Sequence, residues 1–101
     1  MKTEYKQVYQ LLKKIPKGKV STYKEISKVT GIHPRAVGVI LNKNKDPKTF
    51  PCYRIVKSDG SLGGYALGLK KKIELLKKDG IEIKNKKINL KKYLHNFNNF
   101  F

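Results

Sequence analysis

The chain is poor in the residues that build disulfides and metal centres, with one cysteine and two histidines among 101 residues. A single cysteine forms no internal disulfide, which fits a reducing cytoplasm. Cys52, His33 and His95 make no recognisable ligand cluster, so neither a metal nor another cofactor is expected. Acidic residues are scarce as well. Asp and Glu number 7 against 24 Lys and Arg, a formal charge of +17 that is far beyond what solubility requires. A surface of this kind selects a polyanion as partner. Membranes are polyanionic too, but no apolar run is long enough to span a bilayer and no charged-then-apolar signal opens the chain, so a membrane partner is not expected. There is no internal repeat. With 39% hydrophobic residues the chain can bury one modest core. Residues 1–101 therefore read as a single domain, with a core over residues 3–80 and a basic tail over 81–101. A monomer is expected, in the cytoplasm, or with the nucleoid in a prokaryote.

What the chain does contain is a series of punctuated helical patterns. Tyr5, Val8, Tyr9, Leu12 and Ile15 recur at helical spacing and predict a core-facing helix from Thr3 to Ile15, closed by Pro16 and Gly18. Thr22-Tyr23-Lys24-Glu25 matches a capping box, so a second helix starts at Thr22, buries Ile26 and Val29 and stops at Gly31. Pro34 suits a first helical position, and Ala36, Val37, Ile40 and Leu41 then share one apolar face. Two short helices around a glycine turn make a helix-turn-helix. Asn42 to Thr49 reads as a loop leading into a short extended segment, Phe50 to Val56, that carries Cys52. Beyond a turn at Lys57–Ser61, Gly63, Gly64 and Gly68 form a loop able to approach something closely. Leu69, Ile73 and Leu76 space a further helix ending near Gly80, with Lys70, Lys71 and Lys72 expected on its exposed side. Ile81–Ile83 and Ile88–Leu90 alternate like strand fragments, and the last residues are expected to fray. The fold class is mainly α: one small domain with a helix-turn-helix, winged-helix-like element and one or two short strands.

Cys52 invites two readings. An unpaired cysteine in an intracellular domain can be a small buried apolar residue and nothing more. It can also be a nucleophile, since a thiolate is favoured by nearby cations such as Arg54 and the surrounding lysines. The helix-turn-helix is a weak signal alone, but with this charge it points to DNA. Arg35 lies in the first turn of the second helix, where side chains reach bases, and the small Ala36 and Gly38 would let that helix enter a groove. Apart from Asn42, few residues suited to reading bases follow. Poor direct readout with high charge fits a protein that holds any sequence and searches for a structural defect.

These residues also carry a family resemblance. The order Ser21-Thr22-Tyr23, Pro34-Arg35-Ala36-Val37-Gly38, Asn44, Pro51-Cys52-Tyr53-Arg54-Ile55-Val56, then Gly60, Gly63, Tyr65 and Gly68, resembles the C-terminal DNA-binding and active-site domain of the O6-alkylguanine-DNA alkyltransferases. The resemblance spans Thr3 to Gly80, with a weaker echo at Leu90–Leu94. It implies a single-use methyltransferase that binds double-stranded DNA containing O6-alkylguanine, flips the base and moves its alkyl group irreversibly onto Cys52. Arg35 would fill the gap in the stack and Tyr23 would lie against the rotated phosphate, each offsetting the cost of extruding a nucleotide. Ala36, Gly38 and Arg54 would belong to the DNA-binding surface. Asn44 would hold the cysteine loop, Tyr65 would close over the base and supply a hydrogen bond, and Pro51, Ile55 and Ala66 would line the pocket.

Two departures touch the chemistry. The family's histidine after the cysteine is Tyr53 here, and the position of the glutamate that partners it is taken by Asp79. A phenol with an ordinary pKa of about 10 is a poor base near neutral pH, so Tyr53 would instead donate to a thiolate or order a water. The short chain also resembles alkyltransferase-like proteins, which bind lesions for excision repair without removing the alkyl group, but those lack the acceptor cysteine. A helix-turn-helix regulator with a structural cysteine is the third reading.

Overall fold

The computed structural model describes residues 3–65 and 67–97. Helix α1, Thr3–Lys14, buries Val8, Tyr9, Leu11 and Leu12 and carries Lys13 and Lys14 in its last turn, where cations suit the helix dipole. Helix α2, Tyr23–Thr30, starts as the capping pattern predicts, with Thr22 as N-cap accepting the Glu25 N–H at 3.0 Å. It ends at Gly31, whose φ of 77° is the left-handed geometry glycine supplies. Helix α3, Pro34–Asn42, begins on proline, and the His33 imidazole accepts the Arg35 N–H. The buried Tyr9 hydroxyl donates to the Ile40 carbonyl at 2.9 Å and ties α1 to α3. Val8, Leu12, Ile26, Val37, Ile40, Cys52 and Ile55 share the first core cluster.

Three expectations change beyond this point. Cys52 lies on a 3-10 turn, Cys52–Arg54, instead of an extended segment, because its N–H bonds back to Phe50 and that of Arg54 to Pro51. Only Ile55–Val56 is strand (β2), paired in parallel with β1, Ser21–Thr22. The buried side of α4, Leu69–Lys78, includes Lys72, which is fully buried, while Leu69 is 40% exposed. The expectation of an exposed Lys72 is corrected, for a physical reason developed with the site.

The segment after residue 80 is part of the core. Strands β3, Ile83–Lys84, and β4, Lys87–Ile88, form an antiparallel pair, and the short helix α5, Leu90–Tyr93, follows. Ile81, Ile88 and Tyr93 join Val20, Tyr53, Val56, Leu62 and Leu76 in the second core cluster. Val20 is bonded on both backbone groups to this segment, its N–H to Tyr93 and its carbonyl from His95 at 2.7 Å. So the basic stretch of the sequence brings the apolar residues that close the domain. The fold is mainly helical, with five helices and short strands among the described residues, none of the helices long and apolar enough to cross a membrane.

Gly60 locks the turn after β2 to β4. Its φ is +89°, and a Cβ there would lie 2.6 Å from the Ile88 carbonyl oxygen that packs on it. Gly60→Ala should therefore cost on the order of 1–3 kcal/mol, read as a lowered urea midpoint with unchanged slope; an unchanged midpoint would mean that the hairpin swings away freely.

Candidate functional site

Cys52 stands where the first core cluster meets the glycine loop, and it is 7% exposed. The loop before it is stapled by its own polar groups. Asn44 donates from Nδ2 to the Phe50 carbonyl at 2.7 Å and accepts the Asp46 N–H, while the Asp46 carboxylate accepts the Thr49 N–H. Asn44 thus holds the peptide two residues before the cysteine. Burial pushes the Cys52 thiol up, opposed by a hydrogen bond from Asn44, a backbone N–H and the charge of Lys72. Arg54, which the sequence puts beside the thiol as its cationic support, is not among these influences.

Arg54 faces the other way. Its Nε donates to Asp79 Oδ2 at 2.8 Å, its terminal nitrogen to the Ile15 carbonyl at 2.9 Å, and its guanidinium lies 5.2 Å from the Tyr53 ring centre. Tyr53 donates its hydroxyl to the same Asp79 Oδ2 at 2.9 Å. The pairing of position 53 with Asp79 is therefore present. The proton expected to reach the thiolate is committed to this carboxylate instead, and burial together with that hydrogen bond pushes the Tyr53 phenol up to about 12. Tyr53 is no base near neutral pH.

Pro51, Tyr53, Arg54 and Tyr65 border a pocket of about 580 Å³, with Lys13, Lys48 and Lys71 among its other walls. The Tyr65 hydroxyl is buried and has no hydrogen-bond partner among the described residues. Burial also raises its pKa, so the phenol keeps its proton and remains a donor. Ile55 is not among the pocket walls. Its side chain is fully buried, its N–H bonds to Cys52 and its carbonyl accepts from Lys72. Ala66 lies outside the described residues.

A second, more open cleft of about 400 Å³ runs along α3, with Tyr23, Arg35, Gly38, Asn42, Lys57 and Gly64 on its walls. Arg35 is exposed, and Ala36 packs its methyl on the first core cluster. Gly63, at φ +73°, comes so close to Tyr23 that a Cβ would meet the hydroxyl at 3.2 Å. The glycine loop therefore makes its close approach to Tyr23, joining the helix-turn-helix to the loop of Tyr65.

Lys72 is the residue that sequence reasoning placed wrongly. Its Nζ donates to the Ile55 carbonyl at 2.7 Å and to the Gly64 carbonyl at 3.0 Å, and burial brings its pKa down to about 8. The signal was present, since Lys72 is three residues after Leu69 and four before Leu76, on the stripe that those leucines define.

The geometry has close parallels. Residues 3–81 match the family model described as 6-O-methylguanine DNA methyltransferase, DNA binding domain. A bifunctional methyltransferase/endonuclease of Picrophilus torridus is 48% identical over 98 residues, which is 95% of this chain and 32% of that protein. A methylated-DNA–protein-cysteine methyltransferase of Saccharolobus solfataricus is 45% identical over 76 residues, 75% of this chain and 50% of the relative. The chain thus spans between about a third and a half of the length of these relatives. Among solved structures, Schizosaccharomyces pombe Atl1, in complex with damaged DNA containing O6-carboxymethylguanine, gives a TM-score of 0.85 at 29% identity, covering 95% of this chain and 97% of that one. The O6-methylguanine-DNA methyltransferase of Pyrococcus kodakaraensis gives 0.75 at 36% identity, covering 80% and 48%.

Proposed function

We propose, for a chain that belongs to the 6-O-methylguanine DNA methyltransferase DNA-binding-domain family, that it repairs double-stranded DNA containing O6-alkylguanine by taking the alkyl group onto Cys52. One observation carries this reading. The sole cysteine, buried behind the pocket walls, lies in the chain between two pocket-lining residues, Pro51 and Tyr53, on a turn held by Asn44, and the same pocket is lined by Tyr65, whose hydroxyl is buried and unpartnered among the described residues.

The helix-turn-helix lies against DNA, with the open cleft of Tyr23 and Arg35 facing the backbone. Arg35 enters the stack as the damaged guanine leaves it, and the extruded base reaches the pocket, where Tyr65 covers it. The thiol loses its proton to water, and the sulfur then forms a bond to the alkyl carbon as the carbon–O6 bond breaks. The electron pair left on guanine takes up a proton, with the Tyr65 hydroxyl as the hydrogen-bond donor at that side. The thioether is permanent, so each molecule acts once.

A second reading, a lesion-binding protein that marks the site for excision repair, is favoured by a specific observation. Burial raises the thiol, and Tyr53 is bound to Asp79, which leaves no base at position 53. Mixing the protein with duplex DNA bearing one O6-methylguanine and measuring intact mass separates the two. Repair predicts a gain of one methyl on the peptide containing Cys52, absent with undamaged DNA and absent in Cys52→Ala. Preferential lesion binding with no mass gain would establish the sensor.

A further inference from the structure

We propose that Lys72 is the positioning residue that activates Cys52, its ammonium both favouring the thiolate and fixing the cysteine turn to the loop of Tyr65. This inference rests on Cys52 being the acceptor. It starts from a contradiction within the site. A chain with a formal charge of +17 should flood its one thiol with positive field, yet the buried cation behind the cysteine turn is Lys72, with its Nζ 2.7 Å from the Ile55 carbonyl, and its charge favours the thiolate. Arg54, the neighbour in sequence, is turned away and held by Asp79 and Ile15. The surface lysines are screened by water, whereas Lys72 acts through the protein interior, where a charge is felt more strongly.

Tyr9 of α1 shares the core cluster of Cys52, Tyr23 of α2 and Tyr65 of the glycine loop pack against that cluster, and α3 gives it the apolar Val37, Ile40 and Leu41. Asn44 hydrogen-bonds to the thiol from the preceding loop, and Lys72 of α4 reaches the Ile55 carbonyl behind the cysteine turn. All three phenols have raised pKa values and are neutral at neutral pH, and Asn44 has no charge to give. Lys72, at about 8, is mainly protonated there. Among the three phenols, Asn44 and Lys72, it is the group that carries charge.

Its second task is mechanical. The same ammonium donates to the Ile55 carbonyl, one residue beyond the cysteine turn, and to the Gly64 carbonyl, one residue before Tyr65. Thiol and phenol, which must act on the same base, are thus referenced to one nitrogen. A buried lysine costs desolvation that an apolar residue would not, and two carbonyl acceptors alone would be matched by an uncharged donor. The charge is what a purely structural role leaves unexplained.

The test uses DNA-free protein, so that it stands apart from whether the chain repairs lesions. The rate at which iodoacetamide alkylates Cys52 is followed against pH in the wild type, Lys72→Arg, Lys72→Gln and Lys72→Met, with folding checked by circular dichroism. Activation by charge predicts a profile displaced to higher pH and at least about a tenfold slower reaction at pH 7.5 in both uncharged variants, one pKa unit or more, with much of the loss restored in Lys72→Arg. Coincident profiles in folded wild type and Lys72→Gln would overturn the proposal. Single-turnover transfer from O6-methylguanine DNA then follows the same order if Cys52 is the acceptor; slowed alkylation without any transfer would sink the repair reading and leave the Lys72–Cys52 coupling standing.

Discussion

Asp79→Ala is expected to destabilise the domain by about 3–5 kcal/mol, because breaking one side of a buried ion pair strands the other charge. The pair is well enclosed: the side chain of Arg54 is 14% exposed and that of Asp79 is 7% exposed. A single carboxylate oxygen accepts from both Arg54 and Tyr53. Removing it leaves the guanidinium with the Ile15 carbonyl and the face of the Tyr53 ring, and takes from the phenol the carboxylate it donates to. For a domain of this size the loss should lower the thermal midpoint by more than about 10 °C. Tyr53→Phe, which deletes one donor and leaves the ion pair, should cost about 1 kcal/mol. Replacing both charged partners, Arg54→Met with Asp79→Leu, should recover a good part of the Asp79→Ala loss, since no charge is then stranded. Thermal unfolding of the wild type and the three variants decides it, and an Asp79→Ala protein as stable as Tyr53→Phe would show that Arg54 finds water when its partner leaves.

The second large effect is on DNA. Binding should weaken about a thousandfold between 50 and 200 mM salt if about six phosphates are neutralised, from a slope near −0.9 per phosphate. The prediction follows from 24 basic residues against 7 acidic ones and from the position of Arg35 and Lys57 on the cleft along α3. Most of this attraction carries no information about the lesion. Arg35→Ala should therefore change the slope by about one at most while removing much of the preference for a duplex with O6-methylguanine over an undamaged one, because filling the vacated stack is worth energy only where a base has left it. Fluorescence anisotropy at four salt concentrations on both duplexes measures slope and preference together. A flat salt response would contradict the reading of the charge, and an undiminished preference in Arg35→Ala would remove Arg35 from base extrusion.

The helix-turn-helix was legible because its signals are local. Thr22 caps within three residues, Gly31 supplies a positive φ on its own, and Pro34 starts α3 without reference to distant residues. The apolar stripe of α1 likewise depends only on spacing along one helix. Asn44 was assigned its role through resemblance, because its bond to the Phe50 carbonyl spans six residues of an irregular loop and leaves no periodic signal. By contrast, the parallel pairing of Ser21–Thr22 with Ile55–Val56 joins residues far apart in the chain through segments too short to show an alternating pattern.

By itself, the sequence determined the helical class, the two helices around Gly31, the strongly basic charge and the single cysteine. Those follow from composition and from interactions within a few residues. Only the tertiary structure decided which cations stand behind the cysteine turn. Arg54 is two residues from Cys52 in the chain but is drawn off by Asp79 and Ile15, whereas Lys72, twenty positions along, is carried by α4 to the Ile55 carbonyl behind the cysteine turn. The same holds for residues 81–97, basic in sequence yet bonded to Val20 and supplying Ile88 and Tyr93 to the core. Electrostatic support depends on distance and burial, and neither is a property of position along the chain.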